Sequence, residues 1–296
     1  MQAALLLLPD FALILLGTAL ARWVIVSDAF WSGVEKLMYY VLFPALLFNA
    51  LTRTHIDFTA AAPLLAVGAI AMIGGMLIAL PAKPIFQLSP VAFASRFQCA
   101  FRFNSYLGIA VAGKLYGEPG VAAMGIVCGA MVPLANAASI GMLARHGTTN
   151  LWRELATNPM ILSTLAGLLW NISGLLLPEP AQQFVERLSE ATISLGLLTV
   201  GAALKLRIAV RGLPSEVYFL ATKLLALPLI AWCVGRWIGL SGMYFSIAVA
   251  FAALPTGSAA YIITTRLHGD GPGVAWLISM STLGAMITLP LWLAFT

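Results

Sequence analysis

Charge is scarce in this chain. Only 9% of its 296 residues are Asp, Glu, Lys or Arg, against about 25% in an ordinary soluble domain, and that shortage excludes a solvated globular surface. Cysteine is scarce too: Cys99, Cys128 and Cys233 are an odd number, far apart, with no C-x-x-C. Neither a disulfide framework nor a metal site is indicated, and each reads as a small buried apolar residue. The three histidines, His55, His146 and His268, fall between apolar stretches, and neither G-x-S-x-G nor H-E-x-x-H occurs. An intramembrane enzyme therefore lacks a nucleophile–base pair, and neither catalysis nor a cofactor is expected. The formal charge of +5 does not point to nucleic acid, because the basic residues stand singly between apolar runs. The first apolar run has no basic residue before it and ends at Ala21-Arg22-Trp23. That order is the reverse of a cleaved signal, so a retained first helix is expected.

What the chain has is apolar length: 61% of it is hydrophobic and the mean hydropathy is +0.95. A spanning helix needs about 20 residues. Ten such segments can be drawn, roughly 3–21, 31–51, 61–82, 90–116, 119–144, 159–177, 186–205, 216–237, 243–267 and 273–295. Asn158-Pro159 supplies an N-cap followed by proline at the first helical position. The composition is that of an all-α, multi-pass protein of the inner (plasma) membrane, with the lipid bilayer as its surroundings. If the N-terminus is outside, Arg53, Lys114, Arg187 and Arg236 lie at outer ends and Lys223 within a span. The other eleven of the 16 basic residues then lie at cytoplasmic ends. By the positive-inside rule both termini face outward.

The fourth segment is anomalous, because Arg102, Asn104 and Ser105 occupy its centre. An intramembrane arginine faces a cavity or a partner rather than lipid. The turn after it, Lys114-Leu115-Tyr116-Gly117-Glu118-Pro119-Gly120, returns as Arg266-Leu267-His268-Gly269-Asp270-Gly271-Pro272-Gly273 with one residue inserted. Carried back, that register sets Phe103-Asn104-Ser105 opposite Pro255-Thr256-Gly257. Glu35-Lys36-Leu37 likewise matches Glu186-Arg187-Leu188. Five segments in 1–144 and five in 159–296, joined by a short linker at 145–158, make two repeats of opposite orientation. Paired interrupted helices in such repeats mark a transporter's binding site.

Four stretches then carry a resemblance. Tyr40-Val41-Leu42-Phe43-Pro44-Ala45-Leu46-Leu47-Phe48-Asn49, Phe101-Arg102-Phe103-Asn104 with Gly108, Lys223-Leu224-Leu225 with Pro228, and Ala253-Leu254-Pro255-Thr256-Gly257 together make the chain similar to the auxin efflux carrier family, in its bacterial form. The resemblance implies a scaffold of helices 1, 2, 6 and 7 that forms a homodimer. It also implies a transport domain of helices 3–5 and 8–10, with helices 4 and 9 unwound and crossing at the substrate. Its implied activity is elevator-type movement of a small organic anion, auxin-like or dicarboxylate. The chain departs from plant members in lacking a long cytoplasmic loop, in carrying Phe103 where they place proline, and in a third segment with no ionisable residue.

Unwinding a helix inside a membrane is tolerated only where it lines a cavity. Half-helices starting near Ser105 and near Gly257 or Ser258 would aim two positive ends at one point, an anion site without a charged side chain. Asn104 and Thr256 add an amide and a hydroxyl, beside Pro255. Arg102 either clamps a carboxylate or neutralises the end of the preceding half-helix. Lys223 either joins the site or snorkels to an interface. Asn49 in the second segment, and Asn136 and Ser139 in the fifth, either line the cavity or bond between helices. Asp10 lies in the first third of its segment, either resting near the outer headgroups or carrying a proton, and Glu35, Glu186 and Glu190 lie at helix ends. No carboxylate is expected inside segments three to five or eight to ten, so no carboxylate-built sodium site is expected there, and a carbonyl and hydroxyl site stays open. A passive anion channel is the alternative to a carrier.

Overall fold

The computed structural model describes residues 2–53, 58–143, 157–204 and 213–296. Most of the expected linker at 145–158 lies outside the described residues, as do His55, His146, Arg145, Arg153, Lys205, Arg207 and Arg211. Every regular element among the described residues is helical. Helix α1 is Gln2–Ala19, running into a π-turn at Leu20–Val24. Helix α2 joins Asp28–Leu37 to Phe43–Arg53 through the π-turn Met38–Leu42. Helix α3 is Phe58–Ala79, and α4a is Pro90–Phe97, tightening into a 3-10 turn at Gln98–Ala100. Helix α4b begins at Ser105 and bends sharply at Gly117 into α5, which ends at Leu143. Helices α6 and α7 are Pro159–Ser173 and Glu179–Ala202. Helix α8 joins Leu213–Ala221 to Leu227–Trp237 through the π-turn Thr222–Ala226. Helix α9a is Gly242–Ala253, α9b is Ala259–Arg266 and α10 is Gly271–Leu293.

Five stretches, Asp28–Arg53, Ala61–Ile85, Pro90–Leu143, Pro214–Trp237 and Gly271–Leu293, have the length and apolarity to cross a membrane. The starts follow from capping chemistry. Ser89 accepts from the Ala92 amide and Asn158 from the Met160 and Ile161 amides, each with proline in the first turn. Helix α7 starts at Glu179, before the expected 186, because Pro178-Glu179-Pro180 places a proline and an acidic residue in its first turn. The bend at Gly117 has φ 62 and ψ −147, a backbone conformation open in practice to glycine alone. A proline also leaves its mark in α8. Pro228 has no N–H for the Leu224 carbonyl, and the Trp292 indole of α10 donates to that carbonyl instead, at 3.0 Å.

The packing shows a reciprocal pattern. Helix α1 lies on α7, where the Thr18 hydroxyl donates to the Gly201 carbonyl at 2.8 Å. Helix α6 lies on α2, where the Asn171 amide donates to the Leu51 carbonyl at 2.9 Å. Exchanging α1–α5 with α6–α10 converts the first pairing into the second. Helix α1 also touches α10, and α6 touches α5 through Thr164 against Gly129. Cys99 and Cys128 are buried as expected, whereas Cys233 is exposed on the outside of α8. Trp23 and Trp237, at helix ends, are also exposed.

Candidate functional site

The two interruptions meet. Helix α9 breaks at Pro255, which supplies no N–H, so the chain runs non-helically from Leu254 to Gly257. Helix α4 breaks without proline, over Phe101 to Asn104, and resumes at Ser105. There the Asn104 side chain makes the cap, its Oδ1 accepting from the Tyr106 and Leu107 amides at 3.1 and 3.2 Å. Phe103 packs on Phe251 of α9a, with ring centroids 4.6 Å apart. The backbone groups freed by the two breaks then satisfy each other. The Asn104 amide donates to the Pro255 carbonyl at 2.8 Å, and the Thr256 hydroxyl donates to the Cys99 carbonyl at 2.8 Å. The Thr256 amide in turn donates to the Ser281 hydroxyl at 3.1 Å. Only glycine fits at 257, because a Cβ there would lie 2.5 Å from the Phe103 carbonyl oxygen.

A cleft of ≈ 240 Å³ runs from the first turns of α2 to this crossing, lined at its mouth by Asp28, Trp31 and Tyr261. It narrows to space for about one water against Asn104, Tyr106, Ser258, Thr199 and Thr282. Both half-helix starts therefore reach one cavity. They differ in one respect: Asn104 caps α4b, whereas among the described residues no side chain caps α9b behind Ser258. The end left to a ligand is that of α9b, although its Ala260 and Tyr261 amides already donate to the Gly257 and Ser258 carbonyls.

Of the nine candidate side chains, the crossing and its cavity gather five, Asn104, Ser105, Pro255, Thr256 and Ser258. Asn104 and Ser258 line the cavity. Pro255 and Thr256 lie buried beneath it in the crossing, and Ser105 sits against the Cys128 thiol. Arg102 is turned away: its Nε donates to the Ser139 hydroxyl at 3.0 Å and its Nη2 to Asn136 Oδ1 at 2.6 Å. That binds the break to α5 and engages Asn136 and Ser139 in an interhelical bond. Lys223 is 1% exposed and donates to the Ala252 carbonyl at 3.0 Å. It therefore stands at the C-terminal end of α9a as the counter-charge such an end attracts. Asn49 is buried in α2 and does not line the cavity; among the described residues its Oδ1 has no hydrogen-bond partner.

Glu35 is the residue the linear reading missed. It lines both parts of the cavity and its Oε1 accepts from the Ser258 hydroxyl at 3.0 Å. The expectation of no carboxylate in the eighth segment is also corrected. Glu216 is 5% exposed near the start of α8 and pairs with Arg96 at 3.0 Å. Asp270 bonds the same guanidinium at 2.9 Å, tying α4a, α8 and α10 together. Other ion pairs gather at the end away from the mouth, where Arg53 meets Glu118 at 3.2 Å and Glu186 at 3.1 Å, and Lys114 meets Asp10 at 3.4 Å.

A family model described as "Membrane transport protein" matches residues 142–293. The chain is 27% identical over 276 residues to a Rhizobium meliloti (strain 1021) protein named "Putative malonate transporter", covering 87% of this chain and 84% of that one. It is 25% identical over 290 residues to an "Uncharacterized transporter" of Methanothermobacter thermautotrophicus, covering 95% and 94%. It is 25% identical over 176 residues to "Auxin efflux carrier component 7" of Arabidopsis thaliana, covering 57% of this chain but 28% of the plant protein.

Proposed function

This chain belongs to the membrane transport protein family, that of the auxin efflux carriers, and from that premise we propose that it is a secondary transporter of a small organic anion. One observation carries the reading: two interrupted helices cross in backbone contact, and the N-terminal ends of their second halves reach a single cavity. A carboxylate in the wider part of the cavity would meet the start of α9b at Ser258, with the Asn104 side-chain amide across the one-water neck and no substrate contact required of Arg102. Malonate and indole acetate are the first probes to try, because relatives are named for malonate and auxin.

In this reading the ten helices are ten spans in two inverted repeats, α1–α5 and α6–α10, with both termini outside. The exchange-related pairings α1/α7 and α6/α2 support it. Helices α1, α2, α6 and α7 form the scaffold and dimerise through α2 and α7, while α3–α5 and α8–α10 move as an elevator. The Arg96–Glu216–Asp270 cluster lies wholly within the moving set, so movement leaves it intact. The pairs Arg53–Glu118 and Lys114–Asp10 cross between the two sets and would break. On this orientation the cavity opens to the cytoplasm and those pairs close the outer side.

The test is counterflow in proteoliposomes. Vesicles loaded with unlabelled malonate, or with indole acetate, transiently accumulate the labelled anion above equilibrium if the protein is a carrier. Simple equilibration would indicate the passive channel, and no flux of any anion in a mono- and dicarboxylate panel would overturn the reading. Cysteine crosslinks between two copies recovered at α4 and α9, and none at α2 or α7, would reject the dimer.

A further inference from the structure

The cavity offers an anion helix ends but no cationic side chain among the described residues. Among the described residues its lining carries two carboxyl groups, Asp28 at the mouth and Glu35 at depth, and no Lys, Arg or His. The two cations near the crossing are engaged elsewhere, Arg102 with Asn136 and Ser139, and Lys223 with the Ala252 carbonyl. The other titratable groups lining the cavity are the phenols of Tyr106 and Tyr261. Lys36, next to Glu35 on α2, is exposed and does not line it. An incoming carboxylate would therefore meet Glu35, a like charge that repels it.

We propose that the Glu35 carboxyl group is the site of a co-transported monovalent cation, a proton or an alkali ion, which enters with the organic anion and offsets one of its negative charges. The proposal rests on the transporter reading of the same cavity. Its geometry lies in the Ser258 hydroxyl, 3.0 Å from Glu35 Oε1 and at the uncapped start of α9b. That hydroxyl has one proton, which it gives to Glu35, so it can donate to the anion once a cation takes the Glu35 oxygen. The bond also joins α2 to α9, so a cation on Glu35 competes with Ser258 for the oxygen that holds the two helices together. Anion bound without cation leaves two negative charges in the cavity. Cation bound without anion leaves the α9b end unfilled. Each ligand favours the arrival of the other, as linkage between two sites requires.

The experiment uses the full chain in proteoliposomes with the membrane potential clamped at zero and labelled malonate as probe. Separate arms impose a one-unit pH step, a tenfold sodium step and a tenfold potassium step. One-to-one coupling gives about tenfold accumulation of malonate in the arm whose cation is carried, since each tenfold gradient is one decade in the equilibrium. Glu35→Gln is expected to lose that accumulation, and Glu35→Asp, which keeps a carboxyl group, to retain it. Accumulation surviving in Glu35→Gln, or wild-type protein that equilibrates malonate in all three arms, would overturn the proposal. If counterflow shows no anion transport at all, the transporter reading falls, and melting temperature decides the cation site by itself. There the wild type must be stabilised by added cation and Glu35→Gln must not. An equal response of the two would overturn it.

Discussion

Removing Arg102 tests whether its guanidinium serves the fold or the substrate. Its guanidinium donates to Asn136 Oδ1 at 2.6 Å and to the Ser139 hydroxyl at 3.0 Å, all three residues being buried. In Arg102→Ala the Ser139 hydroxyl keeps its own bond to the Ala135 carbonyl, but Asn136 Oδ1 loses a charged donor. A buried polar group left in that state costs about 1–3 kcal/mol. Arg102→Ala should therefore melt at lower temperature, by the same margin with and without malonate, and the protein that remains should show wild-type apparent affinity in counterflow. Arg102→Met combined with Asn136→Leu removes both partners and should recover most of the loss, since deleting a pair together is far cheaper than orphaning one member. Arg102→Lys should recover less, because an ammonium is a point charge without the planar fork. The reasoning is refuted if Arg102→Ala melts as the wild type does yet binds the anion weakly. That outcome makes Arg102 a substrate clamp.

Three further outcomes follow from the crossing. Asn104→Ala removes the α4b cap, worth about 0.5–2 kcal/mol, and should lower both melting temperature and anion affinity. Asn104→Asp should restore the melting temperature through its acceptor oxygen while still impairing malonate counterflow, and recovery of both would remove Asn104 from the site. Gly257→Ala places a Cβ 2.5 Å from the Phe103 carbonyl oxygen, so overpacking of about 1–3 kcal/mol should appear in thermal melts; a wild-type melt would mean the two breaks do not touch. Lys223→Met deletes the counter-charge at the end of α9a, worth up to about 2 kcal/mol, and an unshifted melting curve would count against that assignment.

The helical stretches among the described residues were legible because apolar length and turn chemistry are local properties. The breaks were legible because polar residues and a Pro-x-Gly stood where a span should be uniform. Directions were not. That Arg102 turns to α5, and Lys223 to the end of α9a, depends on helices distant in sequence. Glu35 reads as a helix-end residue, but α2 starts at Asp28 and sets it about two turns inside, where Ser258, 223 residues away, makes it part of the cavity wall. Glu216 was missed for a related reason: at the edge of an apolar run a carboxylate reads as surface until Arg96 of another helix covers it. The break in α4 also shows that Phe103 can stand without proline when Asn104 caps the new helix and Gly257 lets the facing backbone close in.

The reciprocal bonds at the crossing also bear on how the molecule is made. The Asn104 amide and the Cys99 carbonyl take their partners from Pro255 and Thr256, which leave the ribosome about 150 residues later. Until then α4 must enter the bilayer with an interrupted backbone whose polar groups have no protein to receive them, a state hydrocarbon does not tolerate. The nascent first half is thus committed to wait, shielded by water or by the insertion machinery, for a segment not yet translated. A chain halted after α5 would be a membrane protein with an open seam, and quality control would meet it as unfinished rather than as a smaller working unit.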